Sequence, residues 1–166
     1  MSEARPMQAA LLVAVGCFAL ALGLLVYLAD RDPAQAQLIP AVAALAGRQW
    51  FGPIGLWLPS LVHPFAFSLF TAAALPARSA WRYHACALWC VVNVAFELGQ
   101  YPRASARLAE GLQDAFGSAA AGRSLANYFL RGTFDGADIA AAVLGAVAAA
   151  CVLRLVQPTL ENDHAR

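Results

Sequence analysis

Four long apolar stretches constrain this chain more than any other feature. A helix crossing the hydrocarbon of a bilayer needs about 20 consecutive, mostly apolar residues. Met7 to Ala29 is an uncharged run of that kind, bracketed by Arg5 and by Asp30-Arg31-Asp32. A second run lies between Arg48 and Arg78, a third reaches from Tyr83 to Tyr101, and a fourth from Gly136 to Val156. Backbone polar groups in lipid must be satisfied within the segment, so runs of this length are expected as helices. The predicted fold is an all-α membrane protein: a four-transmembrane-helix bundle with spans at approximately 7–29, 54–75, 83–101 and 136–156. A single integral membrane domain covers residues 1–166. The first run exceeds the apolar core of a signal peptide, about 7–15 residues, and is expected to remain as the first span.

Composition agrees with this class. Hydrophobic residues make up 61% of the chain and charged residues 13%, against roughly 25% charged in a soluble globular domain. A net charge of +1 offers no basic stripe for a nucleic-acid backbone, so no nucleic-acid partner is expected. Every basic residue is arginine and alanine is abundant, a bias that suits a GC-rich bacterial genome and hence a bacterial cytoplasmic membrane. Cys17, Cys86, Cys90 and Cys151 all fall in apolar stretches and read as packing residues. Neither a metal site nor a cofactor is expected.

Two connections are long. Residues 30–52 include the apolar piece Leu38 to Ala46, followed by Trp50-Phe51. The third loop, 102–133, carries an amphipathic stretch with Leu108, Leu112, Ala115 and Phe116 on one helical face and Arg107, Glu110 and Asp114 away from it. An additional interfacial amphipathic helix is expected there. An even number of spans puts both termini on one side of the membrane. The short loop bearing Arg78 and Arg82 has the highest arginine density, which places both termini in the cytoplasm.

Ionisable groups inside spans are costly, on the order of 2.5–3.5 kcal/mol each, and this chain carries several. Asn93, Glu97 and Gln100 recur at helical spacing on the third span, and Cys86 and Cys90 extend the same stripe. Asp135 and Asp138 share a face at the start of the fourth span, where the helix dipole favours carboxylates. Arg131 precedes them as a counter-ion, and His63 lies near the middle of the second span between Pro59 and Pro64. His63, Glu97, Gln100, Arg131, Asp135 and Asp138 are therefore the candidate binding residues. Their pattern fits a structural polar network that sets helix register, and equally a headgroup-binding or proton-handling site.

At these residues the sequence resembles the VanZ-like membrane proteins. Glu97-Leu98-Gly99-Gln100 is similar to the E-x-x-Q signature on that family's third helix. Arg131-Gly132-Thr133-Phe134-Asp135-Gly136-Ala137-Asp138, followed by Gly145, resembles the stretch leading into its last helix. His63-Pro64-Phe65-Ala66-Phe67 resembles its helix-two histidine and aromatics. The connection between the glutamine and the arginine is longer here. The resemblance implies a four-helix layout and a shared polar cluster, in a family whose founding member is associated with low-level resistance to a glycopeptide antibiotic.

Three functions follow as expectations. The first is binding of a lipid headgroup or cell-envelope precursor, with Arg131 on phosphate and the carboxylates and Gln100 accepting hydrogen bonds. The second is an accessory subunit of a larger membrane protein complex, with Ala141, Gly145 and Ala149 giving the last helix a close-packing face for its own bundle or a partner. The third is an intramembrane acid–base enzyme using His63 with Glu97 or Asp138. No nucleophile motif, phosphate-cradling glycine loop or H-E-x-x-H stretch accompanies these residues, so no catalytic residues are assigned and the balance leans against an enzyme.

Overall fold

The computed structural model of the chain describes residues 4–30, 50–77, 79–117 and 119–156. The apolar piece Leu38 to Ala46, Arg78 and the charged tail from Glu161 lie outside the described residues. Within them the protein is all-helical: α1 (Ala4–Asp30), α2 (Pro53–Ala74), α3 (Trp81–Gly99), α4 (Pro102–Phe116), α5 (Ala120–Arg131) and α6 (Gly136–Val156). Three helical segments, Pro6–Asp30, Pro53–Ala74 and Gly136–Val156, are long and apolar enough to cross a membrane. The bundle is thus a multi-span membrane architecture. The third expected span, α3, is not among the three, because Arg82, His84, Asn93 and Glu97 dilute its apolar residues.

α2 is the centre of the bundle and packs against α1, α3 and α6, while α3 also meets α6. Leu12 of α1, Leu69 and Ala72 of α2, Cys86 of α3, and Ala149 and Leu153 of α6 form one buried core cluster. Lipid is as apolar as leucine, so such helices associate through close packing, not through escape from water. α6 meets that requirement with Ala141, Ala142, Gly145, Ala146 and Ala149, all buried. A Cβ on Gly145 would overlap the backbone carbonyl of Leu61 and press on Pro64. The small-residue face expected from spacing therefore serves the protein's own bundle, seating α6 directly on the α2 backbone.

Polar side chains tie off the helix ends. At the end carrying α1's start and α6's finish, Gln8 Nε2 donates to the Val156 carbonyl at 2.7 Å. Arg82, only 2% exposed, donates Nε to the Ala72 carbonyl at 2.9 Å and Nη1 to the Ala77 carbonyl at 3.1 Å. Carbonyls at a helix C-terminus have no partner within the helix, and a cation there also meets the negative end of the dipole. At the opposite end, the Asp30 carboxylate accepts the Phe51 N–H at 3.2 Å, joining the finish of α1 to the approach to α2.

The third loop folds as a helical hairpin: the expected amphipathic stretch, Leu108 to Phe116, lies in α4, and a second helix, α5, follows it. Gly117 separates the two: its φ of 55° lies in the left-handed region, which ends α4 and turns the chain. Ser105 and Ala109 of α4 and Gly122, Ala126 and Phe129 of α5 are buried. Leu108 and Phe116, predicted on the apolar face, are 41% and 54% exposed. Both side chains keep much of their surface outside the protein.

Candidate functional site

Of the polar residues singled out by spacing, Glu97 and Asp135 are bonded, Gln100 and Asp138 lie at the same helix ends, and two stand apart. Glu97, nearly buried on the last turn of α3, accepts the backbone N–H of Asp135 through Oε1 at 2.6 Å. Asp135 in turn accepts the Ala137 N–H at 2.9 Å through Oδ1. It acts as the N-cap of α6, satisfying one of the amides that a helix start leaves free. Asp138 occupies the first turn of α6, where the dipole favours a carboxylate. Gln100 leaves this group through a different bond, Nε2 donating to the Tyr128 hydroxyl of α5 at 3.0 Å.

An aromatic seam reinforces the same junction. Phe96 of α3 lies edge-to-face on Tyr128, with ring centroids 5.8 Å apart, and stacks on Phe129 at 5.6 Å. Tyr101 meets Phe134 edge-to-face at 5.6 Å. Partial burial raises the Tyr128 phenol above its ordinary range; the Glu97 carboxylate adds to the effect, and the hydrogen bond from Gln100 opposes it. Glu97 and Gln100 thus hold the α5–α6 connection and the hairpin against the end of α3.

Arg131 and His63 stand apart. Arg131 is exposed at the last turn of α5, a favourable place for a cation against the helix dipole. Among the described residues it forms no ion pair with Glu97, Asp135 or Asp138. His63 is exposed on α2 and stacks on Phe67 with centroids 6.1 Å apart, and Phe67 stacks on Trp89 of α3 at 4.8 Å. No hydrogen bond among the described residues links His63 to the carboxylates. Among those residues no group of three His, Cys, Asp or Glu side chains converges to hold a metal ion.

Sequence spacing did not point to a shallow, open groove of about 560 Å³ between the end of α3 and the start of α4. Ala95, Leu98 and Leu108 give it apolar walls, and Tyr101, Arg103 and Arg107 supply the polar ones. The chain matches no protein-family model, no curated protein and no solved structure. The geometry therefore carries the functional argument. Arg103 and Arg107 are one helical turn apart and exposed, so both guanidinium groups can serve one anion. The usable sequence signal was Tyr101-Pro102, an interfacial aromatic and a helix-starting proline, followed by arginines four residues apart.

Proposed function

We propose that this chain is a four-span, VanZ-like protein of the bacterial cytoplasmic membrane that binds an anionic lipid headgroup or a phosphate-bearing envelope precursor. The groove between α3 and α4 is the observation that carries this reading. It joins paired arginines to an apolar wall, the combination that an amphiphile with a phosphate head and a hydrocarbon tail requires. α4 starts three residues after α3 ends, so with α3 spanning alongside α1, α2 and α6 the groove sits at the membrane border. The open apolar residues of α4, Leu108 and Phe116, suit a hairpin resting in that interface.

In this reading Glu97, Gln100, Asp135 and Asp138 position the hairpin, and the exposed Arg131 supplies a further cation at the same end of the bundle. His63 has no part in binding at the groove. Both termini lie in the cytoplasm, and the groove faces the opposite side, following the arginine density of the loop at Arg78 and Arg82. The exposed apolar residues of α1 and α6, such as Phe18 and Leu144, are what lipid contact asks of any spanning helix. They do not favour a partner subunit over lipid.

The test is native mass spectrometry of the intact chain extracted gently from its membrane. Wild type is expected to retain an anionic phospholipid or precursor, identified by mass, and Arg103→Ala/Arg107→Ala to lose most of it. Equal retention by the double variant would remove the groove as the binding site. Recovery as part of a large stoichiometric assembly would favour the accessory-subunit reading.

A further inference from the structure

The bundle end remote from the hairpin holds a second, more enclosed space. Pro6, Gln8 and Ala9 of α1, Ala73 of α2, Leu75 and Arg82 line a cavity of about 270 Å³. Arg82 is 98% removed from solvent, and guanidinium stays protonated in proteins. Its bonds to the Ala72 and Ala77 carbonyls use Nε and Nη1. Nη2 makes no hydrogen bond among the described residues, and no carboxylate there pairs with the cation. Among those residues, Ser68 Oγ is the one side-chain polar atom sealed away without a partner. Nη2 is thus not among the sealed atoms, and Arg82 lines this cavity.

The end of the α2 dipole offsets part of the charge, but a buried cation with no anion among the described residues is costly. A phosphate oxygen on Nη2 would complete the guanidinium fork. Ala9, Ala73 and Leu75 offer apolar walls, and the cavity lies where α2 ends and α3 begins, the depth at which headgroups meet spanning helices. Basic pockets between transmembrane helices are a known setting for anionic headgroups.

We propose that the cavity at Arg82 binds a phosphate group, delivered by an anionic phospholipid or free in solution. This site is separate from the Arg103/Arg107 groove and does not depend on it. The experiment uses the full chain, purified and delipidated in neutral detergent. Thermal unfolding is followed by tryptophan fluorescence while phosphatidylglycerol, phosphatidylcholine or inorganic phosphate is added at constant ionic strength.

Two variants report on the cavity. Ala9→Phe fills it and leaves both Arg82 bonds in place; Arg82→Lys keeps the cation and loses the fork. Wild type and Arg103→Ala/Arg107→Ala are both expected to be stabilised by phosphatidylglycerol more than by phosphatidylcholine. Ala9→Phe and Arg82→Lys should need about tenfold more lipid for the same shift, the scale of a lost charge-assisted hydrogen bond. Stabilisation by phosphatidylglycerol but not by phosphate identifies the lipid as the source. Stabilisation by phosphate, with nothing added by the lipid, identifies the free anion. A wild-type response in both cavity variants, or no response to either ligand in wild type, overturns the site. A response lost only in Arg103→Ala/Arg107→Ala assigns it to the groove and also overturns this inference, while leaving the proposed function standing.

Discussion

Replacing Glu97 separates two roles that one carboxylate plays at the α3–α6 junction. Its Oε1 accepts the Asp135 N–H at 2.6 Å, while Asp135 and Asp138 place two more acidic side chains at the same helix start. A hydrogen bond contributes about 0.5–1.5 kcal/mol, and about 1.5–3 kcal/mol when the acceptor is charged. Glu97→Ala removes that acceptor. Asp135 is exposed, so water recovers part of the loss, and relief of carboxylate repulsion offsets a further fraction. The expected net cost is therefore about 1–2 kcal/mol. In a chain of this size it lowers the melting temperature on the order of 2–8 °C.

Glu97→Gln keeps an oxygen in the same place and drops the charge, so its stability is expected within about 0.5 kcal/mol of wild type. Thermal unfolding of the purified proteins in one detergent measures both. Limited proteolysis between α4 and α5 adds a local readout, because Glu97 and Gln100 hold that hairpin to α3. Cleavage should speed up in the alanine variant alone. An unchanged Glu97→Ala would show that the Glu97–Asp135 bond does not hold the junction, and a Glu97→Gln as unstable as the alanine variant would show that the charge, not the acceptor, matters.

Two further outcomes follow from packing and titration. Gly145→Ala puts a methyl group against the Leu61 carbonyl, and the separation of α2 from α6 is expected to cost about 1–3 kcal/mol. Leu144→Ala, on the open face of α6, should change the melting temperature far less, and equal effects would remove the close-approach argument. The Tyr128 phenol is raised by partial burial and by Glu97. The folded state then holds its proton when the unfolded chain releases it near pH 10, so its contribution is intact below that pH and declines above it. Ultraviolet titration against Tyr128→Phe should show one tyrosine ionising above the ordinary range, and its absence would contradict the partial burial of that phenol.

Much of the bundle could be read from local pattern. Apolar runs set the positions of α1, α2 and α6, since helix formation in lipid depends on the segment alone. Four-residue spacing of Ala141, Gly145 and Ala149 marked the face that seats on α2, because helical periodicity fixes which side chains share a side. Asp135 and Asp138 were recognisable as residues for a helix start. Glu97 and Gln100 were recognisable as a polar pair on one end of α3. The amphipathic stretch Leu108 to Phe116 marked the second half of α4, whereas the turn at Gly117 and the start of α5 come from the backbone conformation.

The remaining features depend on helices meeting through space. Spacing along α2 does not say how that helix is rotated against α3, and His63 consequently stacks on Phe67 without joining Glu97. Arg131 has the charge of a counter-ion, yet its place on the last turn of α5 leaves it outside the carboxylate group. Arg82 looks like a loop residue for topology and becomes the buried cap of α2 only because α3 folds back against it. The grooves at Arg103/Arg107 and at Arg82 exist between elements. The sequence alone determined which segments are helical and which faces are apolar, since those properties arise from neighbours one to four residues apart. Which polar groups find one another follows instead from packing, because it depends on how each helix is rotated and how deep it sits in the bundle.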